Sequence, residues 1–226
     1  MEENKKEYEK AIAYIRSLIL KKEITIGSRI PSERKLAETL SISRNSTREA
    51  LKQLENMGLI QTQQGRGNYL SCNITRSFSN AIEMMLLLHQ TSASDICQFR
   101  RSIEKTVYHL AYQNRQNNSY FAKMTTLFAD FPHASLEQQI KIDENIHYLL
   151  VRATNNTLLI TIMDSIAGVY HQWVDMVLRH ASPNIMEKLH RSHMAIYQSI
   201  MEERPEQGLQ AIDQHYDLID QMFPDL

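Results

Sequence analysis

Only three residues, Ser41-Ile42-Ser43, separate two helical patterns in the first quarter of this chain. The earlier pattern sets Leu36, Ala37 and Leu40 on one face, behind Pro31, a capping Ser32 and an acidic first turn at Glu33. The later one turns Ala50, Leu51 and Leu54 inward, and Ser46-Thr47-Arg48-Glu49 has capping-box spacing. Helices joined this tightly must cross steeply, which is helix-turn-helix geometry. A helix over Tyr8 to Lys21 precedes the pair, with Ala11, Ile12, Ile15 and Leu18 among its apolar positions. Gly58 ends the last helix, and Leu59 to Thr62 and Asn68 to Leu70 read as strands around Gln64-Gly65-Arg66-Gly67. Three helices and a hairpin, in that order, make a winged helix-turn-helix over residues 1–73.

Charge supports that division. Residues 1–71 hold 13 Lys/Arg against 9 Glu and no Asp, whereas the remainder holds 12 Lys/Arg against 17 Asp/Glu. A basic front and an acidic remainder point to a polyanion met by the front alone. The N-terminal end of the helix after the turn is the part that enters a major groove, and it carries Arg44, Asn45, Ser46 and Arg48. Arg34 opens the preceding helix within reach of a phosphate backbone. Arg66 tops the wing between Gly65 and Gly67, which allow close approach to a groove. Taken singly, each arginine could equally be a solvated helix surface; as a set they fall where groove geometry wants them.

Beyond a helical linker over residues 74–90, rich in Met and Leu, residues 91–226 read as an all-α antiparallel bundle of about six helices. Breaks fall at Asn117-Asn118, Phe131-Pro132, Asn155-Asn156, Ser182-Pro183 and Arg204-Pro205. No run of apolar residues is long enough for a membrane span, and two cysteines make no disulfide framework, so a cytoplasmic protein is expected. All nine histidines lie from His89 onward. Asp143 and His147, spaced i, i+4, share a helix face. With histidines from later helices they make a ligand set suited to a divalent transition metal, whether Zn, Ni, Mn or Fe. Composition alone does not choose among His171, His190 and His193, and each histidine could be an ordinary core or surface residue. Arg100 shares an inward stripe with Ile96, Ile103 and Val107; a buried guanidinium needs an anion, either Glu104 four residues on or a bound carboxylate.

The runs Ile30-Pro31-Ser32-Glu33-Arg34-Lys35-Leu36-Ala37 and Ser43-Arg44-Asn45-Ser46-Thr47-Arg48-Glu49-Ala50-Leu51, followed by Leu59-Ile60 and Gly65-Arg66-Gly67, closely resemble the GntR family of bacterial repressors over about 60 residues. The resemblance implies Arg34, Arg44 and Arg48 as principal DNA contacts, assisted by Asn45, Ser46 and the wing. It also implies a homodimer on a near-palindromic operator. Many members have Thr-Pro where this chain has Asn45-Ser46, so the operator sequence does not carry over. The later segments Asp143-Glu144-Asn145-Ile146-His147, His193-Met194-Ala195-Ile196 and Ala211-Ile212-Asp213-Gln214-His215 resemble the FCD ligand-binding domain of the FadR subfamily. That resemblance implies Asp143, His147, His193 and His215 as metal ligands. It implies Arg100, in Arg100-Arg101-Ser102-Ile103-Glu104, as the contact to a small carboxylate effector, with Arg101 as the fallback if the register slips. Two other functions remain open on the residues. A metal-dependent enzyme would need a general base or nucleophile that the spacing does not offer; a metal-free regulator would use the bundle for dimerisation alone.

Overall fold

A computed structural model describes residues 2–179 and 181–222, with the side chains of all but residues 2–6, 93 and 170–177. His171 and His180 therefore lie outside the described side chains. The chain forms two compact units, one ending at Phe78 and the other beginning at Ser79.

In the first unit, α1 (Glu2–Leu20), α2 (Glu33–Leu40) and α3 (Arg44–Asn56) precede a hairpin of β1 (Ile60–Gln63) and β2 (Gly67–Leu70). Ile15, Leu18, Leu36, Leu51 and Leu54 from the helices meet Ile60 and Leu70 of the hairpin in one apolar core. The α2–α3 turn works because Ser41 adopts the left-handed conformation, at φ 53°, while Ile42 is buried beneath it. Ser32 caps α2 as its position implies, accepting from the Lys35 amide. The α3 cap is Ser43 rather than Ser46: its hydroxyl accepts from the Ser46 amide and starts the helix at Arg44. The strands pair in register from Ile60 with Leu70 to Gln63 with Gly67, leaving Gln64 to Arg66 as the turn. The segment before α2 joins the wing edge, since Ile30 N–H donates to the Asn68 carbonyl and Leu70 N–H to the Ser28 carbonyl. Gly58 is required where it stands: at φ +73° a Cβ would lie 2.0 Å from the Asn73 carbonyl oxygen.

The second unit holds most of α4 (Thr75–Leu87), then α5 (Ala93–Gln113), α6 (Ser119–Asp130), a 3-10 turn over Phe131–His133, α7 (Leu136–Ala153), α8 (Thr157–Leu178), α9 (Pro183–Met201) and α10 (Pro205–Met222). Among the described residues, six helices follow the linker, as the breaks imply. The linker is not a bare spacer, because Ile82 and Leu86 of α4 pack on Ile96 and Cys97 of α5 and Ile166 of α8. Ser92 and Ser135 open α5 and α7 with reciprocal capping boxes, closed by Asp95 and Gln138. The helices α9 and α10 form a close hairpin, and α10 lies tightly on α5 at Gly208. A Cβ there would come within 2.1 Å of the Tyr108 hydroxyl. Val107, Ile146, Leu150, Ile196, Ile200 and Ile212 fill the space enclosed by α5, α7, α9 and α10. Among the described residues, no helix is long and apolar enough to cross a membrane.

Candidate functional site

The first site lies on α3 and its neighbours. Arg44, Asn45 and Arg48 project from the exposed side of the first turns of α3, and Arg34 is exposed on α2. Gly65 and Arg66 form the exposed tip of the wing, with Gly67 at its base. Gly67, at φ +105°, would bring a Cβ to 3.1 Å from Nε of Arg29, so a larger residue would disturb the base of the wing. Arg48 is pre-oriented: its Nε and Nη2 donate to the two carboxylate oxygens of Glu33, at 3.1 and 2.8 Å. Ser46 departs from expectation. It is fully buried, and its hydroxyl donates to Glu7 Oε2 of α1 at 2.8 Å, so it braces α3 against α1 instead of facing a groove. The same Glu7 oxygen accepts from the Ser43 amide at 3.1 Å. These bonds hold the Glu7 carboxyl below the usual glutamate range.

The second site is built inside the bundle by four helices. One ring nitrogen from each of His147 (α7), His193 (α9) and His215 (α10) lies within 4.8 Å of the others. The helix α5 supplies the flanking charges. Glu104 Oε1 stands 2.6 Å from His147 Nδ1 and 3.4 Å from Arg100 Nη2. Both Arg100 and Glu104 are buried, so the i, i+4 partner considered for Arg100 is the one observed. Glu104 is more than that partner, since it also anchors a cluster histidine. Only its place on the Arg100 stripe hinted at this. Arg101 does not serve as an alternative: its guanidinium meets Asp217 and Asp220 of α10, at 2.6 and 3.1 Å, and ties two helices together from outside.

Asp143 is buried beside the cluster, with Oδ1 3.3 Å from His193 Nδ1. One turn ahead of His147, its short side chain meets the outer nitrogen of His193, so here it orients a ring and is not one of the three grouped ligand residues. His190, one turn before His193, stacks on Phe131 at 3.8 Å between centroids. Its Nδ1 is buried without a hydrogen-bond partner among the described residues, and burial lowers its pKa.

The protonation pattern follows from these partners. A carboxylate only accepts, so the 2.6 Å approach of Glu104 puts hydrogen on Nδ1 of His147, whose Nε2 turns toward Nε2 of His193. Those two Nε2 atoms are 3.0 Å apart. Two lone pairs cannot face each other at that distance; a proton or a cation must lie between them. Burial opposes charge on His147, yet the Glu104 carboxylate outweighs it and raises that ring's pKa. Burial and the charge of His147 push His193 well below the ordinary value; for His215, burial and then the charges of His193 and His147 do the same. Burial alone would raise Glu104, but the charge and hydrogen bond of His147, with Arg100 behind them, hold it far below the carboxylate range. His215 Nε2 is buried with no hydrogen-bond partner among the described residues. Inward lone pairs, outward carboxylates and an unsatisfied ring nitrogen are what a divalent transition metal needs from its ligands and their supports.

Family comparison covers both units. Residues 7–70 match the model of the bacterial regulatory proteins of the gntR family, and residues 95–218, more than half of the chain, match the FCD domain. The chain belongs to the GntR family, in its FCD-domain branch. Among similar proteins, the Bacillus subtilis HTH-type transcriptional regulator LutR is 24% identical over 79% of this chain and 83% of its own length. The Glc operon transcriptional activator of Escherichia coli K12 is 24% identical over 89% of this chain and 82% of its own. A solved structure, Streptococcus agalactiae GntR, shares the fold at a TM-score of 0.70 and 21% identity, covering 95% of this chain and 99% of that one. This GntR/FCD chain is thus a transcription regulator and not an enzyme.

Proposed function

We propose that this GntR/FCD regulator is a homodimeric repressor of a near-palindromic operator, released when a small carboxylate binds beside a divalent metal ion in the bundle. The convergence of three histidine nitrogens, two of them on fully buried residues and each backed by its own polar partner, carries the reading. Within it, His147, His193 and His215 hold the metal, and Asp143 backs His193 at its outer nitrogen. The bound ion supplies an open coordination position to an acid. Arg100, buried next to Glu104, gives that acid its cationic partner.

The DNA contacts in this reading are Arg34, Arg44, Asn45 and Arg48, with the wing from Gly65 through Arg66 to Gly67; Ser46 serves by fixing α3. Two subunits set their α3 helices in successive major grooves. Ligand binding is relayed from Arg100 along α5 to Ile96 and on to Ile82 and Leu86 of α4. Such couplings are typically worth about 1–3 kcal/mol. The test is a gel-shift titration on DNA selected from a random pool, using zinc-loaded protein with and without hydroxy acids and dicarboxylates. Loss of DNA binding with one acid, dependent on zinc, is expected. Gain of binding would reverse the sign of control; no response to any acid or to zinc would leave a metal-free regulator.

A further inference from the structure

Ser192 occupies a position in α9 that the metal-ligand motif does not assign, one residue before His193. Its hydroxyl is buried between two groups: Oγ lies 2.6 Å from the Leu189 carbonyl oxygen and 3.0 Å from His215 Nδ1. A hydroxyl has one proton, and a carbonyl oxygen can only accept. If that proton went to the ring, two oxygens would face each other at 2.6 Å with no hydrogen between them. The proton therefore goes to Leu189, and Oγ accepts from the ring.

We propose that Ser192 is a positioning residue of the histidine cluster, holding His215 as its Nδ1–H tautomer so that the Nε2 lone pair faces inward. The observation that closes the argument is independent of Ser192: His215 Nε2 is buried with no hydrogen-bond partner among the described residues. A ring nitrogen carrying hydrogen there would leave an unmet buried donor, whereas a bare lone pair is ready for a cation. With Glu104 behind His147 and Asp143 behind His193, Ser192 completes a set in which each ring has its own outer partner. The three supports differ in kind, being two carboxylates and one neutral hydroxyl. His215 is thus oriented without a further negative charge on its outer side. Its role as a ligand rests on the metal reading above; its tautomer does not.

Long-range proton–nitrogen correlation spectra of the metal-free, histidine-labelled protein report the tautomer of each ring, with His215 assigned by its loss in His215→Gln. Wild type should show His215 with hydrogen on Nδ1. Ser192→Ala should shift it toward a mixture of tautomers and weaken Zn2+ binding about 10–100-fold, the usual effect of losing an outer partner. Ser192→Thr, which keeps the hydroxyl, should restore both. Hydrogen on Nε2 of His215 in wild type, or unaltered Zn2+ affinity in Ser192→Ala, would overturn the proposal. Failure of wild type to bind Zn2+ while the Nδ1–H signal is present would overturn the metal reading and leave the tautomer assignment standing.

Discussion

The two units of this chain handle charge in opposite ways. The first displays it. Arg34, Arg44, Arg48 and Arg66 are all exposed, and among its described residues the buried polar ones are Ser46 and Thr47. The second hides it, burying Arg100, Glu104, Asp143, His193 and His215 together. On the proposed function, the difference follows from what each unit meets. A phosphate backbone is large, hydrated and reached from outside, so its partners must lie on a surface. An ion or a small acid must be taken from water, so its partners must already be desolvated and held by one another.

That contrast breaks most readily at Glu104. Glu104→Ala removes the buried carboxylate that faces both Arg100 and His147, lowering the stability of the helical unit by about 3–5 kcal/mol. Denaturant melts followed separately for the two units should show the winged-helix transition in place. An equal loss in both units would mean that the charges are not segregated as described. Gly208→Ala tests packing in the same unit without touching charge. A Cβ 2.1 Å from Tyr108 Oη and 2.4 Å from Ser199 Oγ forces α10 off α5, costing about 1–3 kcal/mol by thermal melting.

Arg48→Ala sharpens the comparison from the other side. DNA affinity should fall by about 1–3 kcal/mol, with Zn2+ binding unchanged. Normal affinity for selected DNA would mean that α3 is misplaced. The smallest effect concerns Glu7. Its depressed pKa means that its bonds to Ser43 and Ser46 stabilise the fold fully above the usual glutamate range, and that stability is lost as pH falls below this range through the lowered pKa. Glu7→Gln should flatten the acid limb of the winged-helix stability profile and leave the neutral region nearly level; an unchanged acid limb would show that Glu7 contributes nothing there.

Legibility in the sequence also divides along this line. The helix-turn-helix and wing follow from local spacing, down to the Ser32 cap and the turn before Gly67. The one local error, placing Ser46 on the groove side with a capping box of its own, has a non-local cause. Glu7 comes from a helix 39 residues away and draws Ser46 inward, leaving Ser43 to cap. In the bundle, helix limits were readable from Asn, Pro and Ser breaks, but the site was not readable from pattern alone. His147, His193 and His215 came together through resemblance. The roles of Glu104 and Ser192 depend on how α5 registers against α7 and α9 against α10, which no spacing within one helix discloses. The pairing of Arg101, the fallback to Arg100, with Asp217 and Asp220 was hidden for the same reason, since both partners lie on α10.

The most direct measurement is a Zn2+ titration of metal-stripped protein by calorimetry, run beside His215→Ala. One ion per chain in wild type, with tight binding abolished in the variant and DNA affinity retained, is the predicted result. No saturable binding in wild type, or the same isotherm in both proteins, would contradict the assignment of the buried histidines to a metal.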